Sequence, residues 1–360
     1  MDISPFKPEK LLFHRSRIDA MLRGDLVYPV SVELDLSNVC NHKCPFCSFG
    51  TEESQGYRYQ HWTMFPYPRV LDLLRELKAC GVESITLTGG GEPLMHKHAA
   101  EVMELATELS LQWGLVTNGA LLKGRVAHAV AAGATFCRIS LDAGSDETHQ
   151  RTHGVAHPQY SMIIEHLRGL RAEASLAGRP LIIGASFCVM SSNFKEVYAA
   201  AKDVKEAGAD YLEVRPTYET EWRGDGWRDE IDTEGAKVEV EHARLHLNSD
   251  SFHVLGMNER FDNVASEKPV KNYTTCRIGG LTTVIGADGR LWHCCVQRGE
   301  SFFELGSVAT RSFVDVWAEI QQKRDVSKID VSRCPRCRYD SYNELLEHAV
   351  LADGMHRSFI

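Results

Sequence analysis

Three cysteines carry the strongest chemical signal in this chain, in the run Cys40-Asn41-His42-Lys43-Cys44-Pro45-Phe46-Cys47. Thiolates at these spacings can hold three irons of a 4Fe–4S cluster and leave the fourth iron without a protein ligand. An open iron can bind the amino and carboxylate groups of S-adenosylmethionine (SAM) and deliver an electron to its sulfonium. A three-cysteine zinc loop or a set of buried thiols fits the same spacing. The surroundings add weight to the first reading. Thr88-Gly89-Gly90-Gly91-Glu92-Pro93 follows one strand–helix unit later. Glycines there let the backbone approach a ligand closely and take positive φ, and the Glu92 carboxylate could meet an ammonium. Ser140 and Asp142, at the end of a later strand, are placed for a ribose. Phe46, between two of the thiols, could pack on an adenine or simply fill core.

A second set, Cys276, Cys294, Cys334 and Cys337, offers four thiols. Four thiolates suit a tetrahedral zinc or a fully ligated 4Fe–4S cluster, and the chemistry alone leaves both open. Cys295, beside Cys294, is left over as a buried thiol or one that faces a substrate. Strand alternation picks further candidates. Ser186, Cys188 and Met190 share one face, as do Arg138, Ser140 and Asp142, which turns Cys137 outward. Glu213 and Arg215 share a face and could orient a hydroxyl or a phosphate, or pair with each other. Cys188 reads as a hydrogen donor or, more plainly, as a buried structural thiol.

These residues need strand ends to hold them. The pattern opens with a lead-in over residues 1–29, with a helix over Pro8–Leu22 ended by Gly24. From Val30 the alternating SVELDLS reads as a strand running into the first cysteines. Further strands are expected at Ser84–Thr88, Leu111–Thr117, Thr135–Leu141, Leu181–Met190 and Tyr211–Arg215, with amphipathic helices such as Pro68–Cys80 between them. Strands separated by helices imply a parallel sheet with right-handed crossovers. The expected fold is α/β, a partial (β/α)6 TIM-like barrel over residues 30–216, with ligands at the carboxyl ends of its strands. Residues 217–275 read as a bridge, loop first around Trp222, Gly224-Asp225-Gly226 and Trp227, then helix. A small α+β auxiliary domain is expected over 276–337, opened by a hairpin in LTTVIGADGRLWHCC, with a tail over 338–360.

Composition narrows the classes. The 360 residues are 43% hydrophobic and 25% charged, ordinary for a globular chain. A net charge of −9 leaves no broad basic surface for a nucleic acid polymer, although a few cations could hold one phosphorylated small molecule. No apolar run approaches the roughly 18 residues of a membrane span, and the first residues lack a signal peptide, so the reading is cytoplasmic. The 11 cysteines are an odd number in a chain with a large core, which favours metal ligation over disulfides.

CNHKCPFC, GGGEP, VTNG and SLDAG, in this order, resemble the radical SAM superfamily over residues 30 to about 216. The resemblance implies a SAM-binding 4Fe–4S cluster on Cys40, Cys44 and Cys47, and reductive cleavage of SAM to methionine and a 5′-deoxyadenosyl radical. It places Gly90, Gly91 and Glu92 at the methionine end, counts Asn118 of VTNG among the cofactor contacts, and carries Ser140 and Asp142 to the ribose. C-x12-G-x4-C over Cys276, Gly289 and Cys294 resembles the opening of the SPASM domain. The absence of cysteines after Cys337 is similar to its shortened twitch form, with one auxiliary 4Fe–4S cluster, as in 2-deoxy-scyllo-inosamine dehydrogenase.

The implied reaction is hydrogen abstraction from a carbinol carbon of a small sugar, aminocyclitol or nucleotide. Oxidation to a ketone would follow, or epimerisation if Cys188 or Cys295 returns a hydrogen. The implied electron donor is of flavodoxin or ferredoxin type, with neither a nucleic acid polymer nor a membrane as partner. Maturation of a ribosomally made peptide competes, weakened by a lead-in too short for a leader-binding domain. A non-enzymatic iron–sulfur scaffold is a third class, disfavoured by the full set of SAM-site motifs.

Overall fold

The computed structural model describes residues 7–49, 62–217, 229–256, 261, 271–295, 298–323, 326–334 and 337–350. Trp222, Trp227 and Gly224-Asp225-Gly226 lie outside the described residues. Ten strands form one sheet: β1 Ser31–Asp35, β2 Ser84–Thr88, β3 Gln112–Thr117, β4 Phe136–Ser140, β5 Ile182–Val189, β6 Tyr211–Pro216, β7 His253–Gly256, β8 Thr282–Ile285, β9 Arg290–Trp292 and β10 Glu304–Ser307. Their order is β10-β9-β8-β1-β2-β3-β4-β5-β6-β7. All neighbours from β8 to β7 run parallel, while β9 and β10 are antiparallel. The outer strands of this order are β10 and β7, so the barrel stays open.

The six expected barrel strands are present, and two more parallel strands flank them. β7 has four residues, too few to show a clear alternation in sequence. β8 is the first arm of the expected hairpin, but its other edge pairs with β1, Ser31 opposite Thr282 and Leu34 opposite Ile285. The C-terminal hairpin therefore continues the barrel sheet. The lead-in also differs: a 3-10 stretch, Pro8–His14, runs into an α-helix, Arg15–Arg23, capped by Gly24 at φ 83°.

Alternation along the strands separates the two faces. Val32, Leu34, Ile85, Leu87, Leu115, Cys137, Ile139, Ile183, Phe187, Leu212 and Val214 face outward, each at most 2% exposed, and join the apolar sides of helices such as Tyr67–Ala79 and Tyr160–Ala177 in one core. The inner face is polar above an aromatic floor. A Cβ on Gly114 would lie 2.0 Å from the Phe136 ring, and one on Gly184 would lie 2.1 Å from Tyr211. Those glycines leave room for the two rings that fill the lower lumen. Polar groups collect above them, toward the strand ends. Among the described residues, no helix is long and apolar enough to cross a membrane.

Candidate functional site

The cysteine loop leaves β1 and is fastened on two sides. On one side, Gly91 N–H donates to Ser37 O at 3.0 Å and Glu92 N–H to Val39 O at 2.9 Å. This brings Gly91 so close that a Cβ would lie 2.3 Å from Val39 O. On the other side, Lys43 N–H donates to His153 O at 2.9 Å. Within the loop, backbone N–H groups already face sulfur: His42 N–H to Cys40 Sγ and Phe49 N–H to Cys47 Sγ, each at 3.4 Å. Cys40 is exposed, whereas Cys44 and Cys47 are half-buried. Burial, then Cys47 and Asp142, raises the Cys44 thiol well above its ordinary value. Metal binding would have to displace that proton.

The Gly-rich loop differs from expectation in its backbone. Its glycines do not take positive φ; they serve close approach alone. Glu92 is 3% exposed and turned into the protein. Its carboxylate accepts from Leu94 N–H at 3.0 Å, Thr117 Oγ1 at 2.7 Å and Asn118 N–H at 2.8 Å. A carboxylate has about four acceptor positions, so Glu92 clamps the ends of β2 and β3 together and keeps a position for one further donor such as an ammonium. Asn118 continues the clamp, donating to Asn41 Oδ1 at 2.7 Å and reaching Cys40 Sγ at 4.0 Å.

The inner wall of β4–β6 brings most of the other candidates together. Glu213 pairs with Arg138 at 2.8 Å rather than with Arg215. The pair reaches across β5 because Gly184 and Ser186 there are small. Arg215 instead donates from Nε to Cys188 Sγ at 3.5 Å. Burial, then Asp142, pushes the Cys188 thiol up to about 11, opposed by Arg215. Ser140 stands opposite Ser186 in the ladder. Asp142, at φ 48°, points inward at 1% exposure, and its Oδ1 accepts the Cys188 N–H at 2.6 Å. Its other oxygen, Oδ2, lies 3.6 Å from His153 Nε2. Phe46 is half-buried, edge-on to His153 with ring centroids 6.3 Å apart.

Sequence reasoning passed over a buried histidine group beside the thiols. Helix Asp146–His153, capped at its N-terminus by Ser145 Oγ, presents His149 and His153 one turn apart. Their rings stack at 4.2 Å, and His153 Nδ1 lies 3.1 Å from His42 Nδ1 and 3.2 Å from Cys44 Sγ. Burial holds His42 and His153 down to about 4, so both are neutral at pH 7. The signal was His149-x3-His153 on a short helix, after a third histidine inside the cysteine loop.

Cys276, Cys294, Cys334 and Cys337 line one cavity, together with Tyr273 and Phe303, while Cys295 is outside its lining. Donors again face sulfur: His293 Nε2 lies 3.3 Å from Cys276 Sγ, and Tyr339 N–H donates to Cys337 Sγ at 3.3 Å. Asp340 braces this end, accepting Cys337 N–H at 3.1 Å, Tyr273 Oη at 2.7 Å and Lys271 Nζ at 2.8 Å. Two arginines absent from the sequence reading connect this region to the barrel. Arg298 pairs with Asp35 and Arg338 with Glu33, both on the inner face of β1.

The pattern of the radical SAM superfamily matches residues 34–185, and that of the SPASM iron–sulfur cluster-binding domain matches residues 276–338. The chain carries a radical SAM domain followed by a SPASM-type C-terminal domain. Its two domains imply SAM and 4Fe–4S clusters, and the donor sets fit: three thiols on one loop, and four around one cavity. The sporulation killing factor maturation protein SkfB of Bacillus subtilis is 26% identical over 299 residues, 81% of this chain and 65% of that protein. A probable GTP 3′,8-cyclase of Saccharolobus islandicus is 28% identical over 168 residues, 46% of this chain and 50% of the cyclase. The chain thus spans less than two thirds of the length of either relative. Among solved structures, SuiB of Streptococcus suis bound to S-adenosylmethionine superposes with a TM-score of 0.63 at 18% identity, over 88% of this chain and 72% of SuiB. That likeness shows the fold. BtrN, solved with AdoMet and 2-DOIA, reaches a TM-score of only 0.43 and carries no argument about substrate.

Proposed function

We propose that this radical SAM protein abstracts a hydrogen atom from a carbinol carbon of a small polar molecule, a sugar, an aminocyclitol or a nucleotide, and oxidises or epimerises it. Cys40, Cys44 and Cys47 are the proposed ligands of the SAM cluster, and Cys276, Cys294, Cys334 and Cys337 those of an auxiliary 4Fe–4S cluster. Bound there, cluster and SAM supply reductive cleavage to methionine and a 5′-deoxyadenosyl radical. The barrel is assigned to residues 30–216 and the twitch-type region to 276–337. A flavodoxin- or ferredoxin-type protein in the cytoplasm is the proposed electron source.

The observation that carries this reading is the inner wall, where Cys188 meets Arg215 and Arg138 pairs with Glu213. These groups suit hydroxyl-bearing ligands better than apolar ones. Arg215 and Glu213 on β6 are the orienting groups, and Ser186 on β5 and Ser140 on β4 continue the wall beside them. Cys188 is the proposed hydrogen donor should the carbon be inverted, since its thiol is protonated at neutral pH. Cys295, outside the auxiliary cavity, is the second candidate donor. Phe46, Gly90, Gly91, Glu92, Asn118, Ser140 and Asp142 are the proposed SAM contacts, with Gly90, Gly91 and Glu92 at the methionine end and Ser140 and Asp142 at the ribose.

Maturation of a peptide is the second reading. It is favoured by the match to the SkfB maturation protein, which runs through 81% of this chain. The two are separated by which compounds raise 5′-deoxyadenosine output from reduced protein and SAM. Polyols, aminocyclitols or nucleotides should do so, with the product then formed in D2O. One solvent deuterium at the attacked carbon, lost in Cys188→Ala or Cys295→Ala, means inversion; no deuterium means oxidation. Stimulation by peptides alone would overturn the small-molecule reading.

A further inference from the structure

Arg298 occupies a place that neither cysteine set explains. It follows Cys294 and Cys295 by a few residues, yet its guanidinium lies in the barrel, with a side chain only 4% exposed. Its ion-pair partner, Asp35, ends β1 and is fully buried. Asp35 supports the Gly-rich loop: a Cβ on Gly89 would lie 3.4 Å from Asp35 Cβ and Cγ, and the Gly90 N–H stabilises the carboxylate. The central carbon of the same guanidinium lies over the Phe49 ring, 4.7 Å from its centroid. Phe49 in turn donates its N–H to Cys47 Sγ at 3.4 Å. One side chain from the auxiliary-cysteine segment therefore touches both walls of the first site, the Gly-rich loop through Asp35 and the cysteine loop through Phe49.

We propose that Arg298 is a positioning residue through which the Cys294–Cys295 segment props open the SAM site and sets how well that site receives SAM. The proposal rests on the assignment of Cys40, Cys44, Cys47 and the Gly-rich loop to that site. A buried ion pair contributes little net stability compared with apolar packing, so one that joins two regions is better explained by the geometry it fixes. Arg298 also lies beyond the reach of a local folding role. It is 263 residues from its carboxylate partner in sequence, and its ring partner precedes it by a similar span. Arg298 acts on the site through Asp35 and Phe49.

The test is a titration of SAM into full-length, anaerobically reconstituted and reduced protein, following the EPR signal of the reduced clusters. Arg298→Gln should weaken the SAM-dependent change roughly ten- to a hundredfold, the usual range for losing a supporting contact around a metal site, with iron content unchanged. Asp35→Asn/Arg298→Gln removes both charges together, so the protein should melt cooperatively even where the single variant does not. It should still bind SAM weakly, because the contact over Phe49 is gone. Arg298→Lys keeps the charge beside Asp35 without the flat face and should recover part of the affinity. A double variant that melts cooperatively and responds to SAM as wild type does overturns the role of Arg298 alone. A wild-type signal that ignores SAM overturns the site assignment, and this proposal with it.

Discussion

The two cysteine regions solve different problems with the same side chain. Cys40, Cys44 and Cys47 sit on one loop, with Cys40 exposed and polar clamps on either side from Glu92, Asn118 and His153. Cys276, Cys294, Cys334 and Cys337 come from three separate segments and converge on one cavity edged by aromatic rings. An open three-thiol loop leaves a coordination position for a ligand, while a closed four-thiol cage leaves none. The first region is thereby suited to chemistry on something that enters, and the second to holding structure or passing electrons.

The largest expected effect breaks this contrast if it fails. Replacing Cys40, Cys44 and Cys47 with alanine should abolish conversion of SAM to 5′-deoxyadenosine. Cys334→Ala/Cys337→Ala should keep that conversion at saturating SAM while losing product formation. Equal loss in both variants, read by chromatography of the nucleoside, would mean that the regions are not divided in this way. Metal analysis comes next. Anaerobic wild-type protein should hold about eight irons, and the triple alanine variant about four, the arithmetic of two 4Fe–4S clusters. About four irons and one zinc in wild type would make the second cage a structural zinc site.

Two smaller effects sharpen the account of the lumen between the regions. Glu213→Ala leaves Arg138 without its carboxylate in a wall where both side chains are about nine-tenths buried. Breaking a buried pair from one side costs about 3–5 kcal/mol, so the melting temperature should fall well beyond that of an exposed Glu→Ala control. Asp142 gives a smaller, pH-dependent effect. Burial, opposed by the Cys188 N–H and Arg215, pushes its carboxyl up to about 6 from an ordinary value near 3.8. Between those values the folded protein holds the proton more tightly than the unfolded chain, so stability falls as pH rises through that window. Asp142→Asn should remove this contribution, and the gap in melting temperature between variant and wild type should change across pH 4 to 6. A gap that stays constant would show that the carboxyl is not raised.

Much of this arrangement was legible because the chemistry is local in sequence. Cys40, Cys44 and Cys47 fall within one loop, and strand alternation correctly turned Cys137 into the core and Arg138, Cys188 and Arg215 inward. What sequence could not supply was partners. Glu213 and Arg215 share a face, which suggested a mutual pair, but a small residue on the strand between lets Glu213 reach Arg138 instead. The C-x12-G-x4-C spacing singled out Cys294 over the adjacent Cys295, and the cavity makes the same choice. Glu92 read as a ligand-facing carboxylate, but two of the donors that hold it, Thr117 and Asn118, lie at the end of the next strand, out of sight of the sequence. Arg298 and Arg338 gave no signal, since each finds its carboxylate on a strand made from the other end of the chain.

The pairing of β8 with β1 has a consequence for how the chain is made. Ser31 lies opposite Thr282, a separation of 282 − 31 = 251 residues. At a synthesis rate of about 5–20 residues per second, roughly ten to fifty seconds pass between their emergence. Throughout that interval one edge of β1 is a row of unpaired backbone groups, the kind of edge on which another strand can add. Glu33 and Asp35, which await Arg338 and Arg298, keep that inner face charged in the meantime. Inward-pointing charge on an open edge is a known deterrent to such pairing. The strand that leads into the first cysteines is thus made early and completed late, with carboxylates guarding it on the ribosome until their arginines arrive.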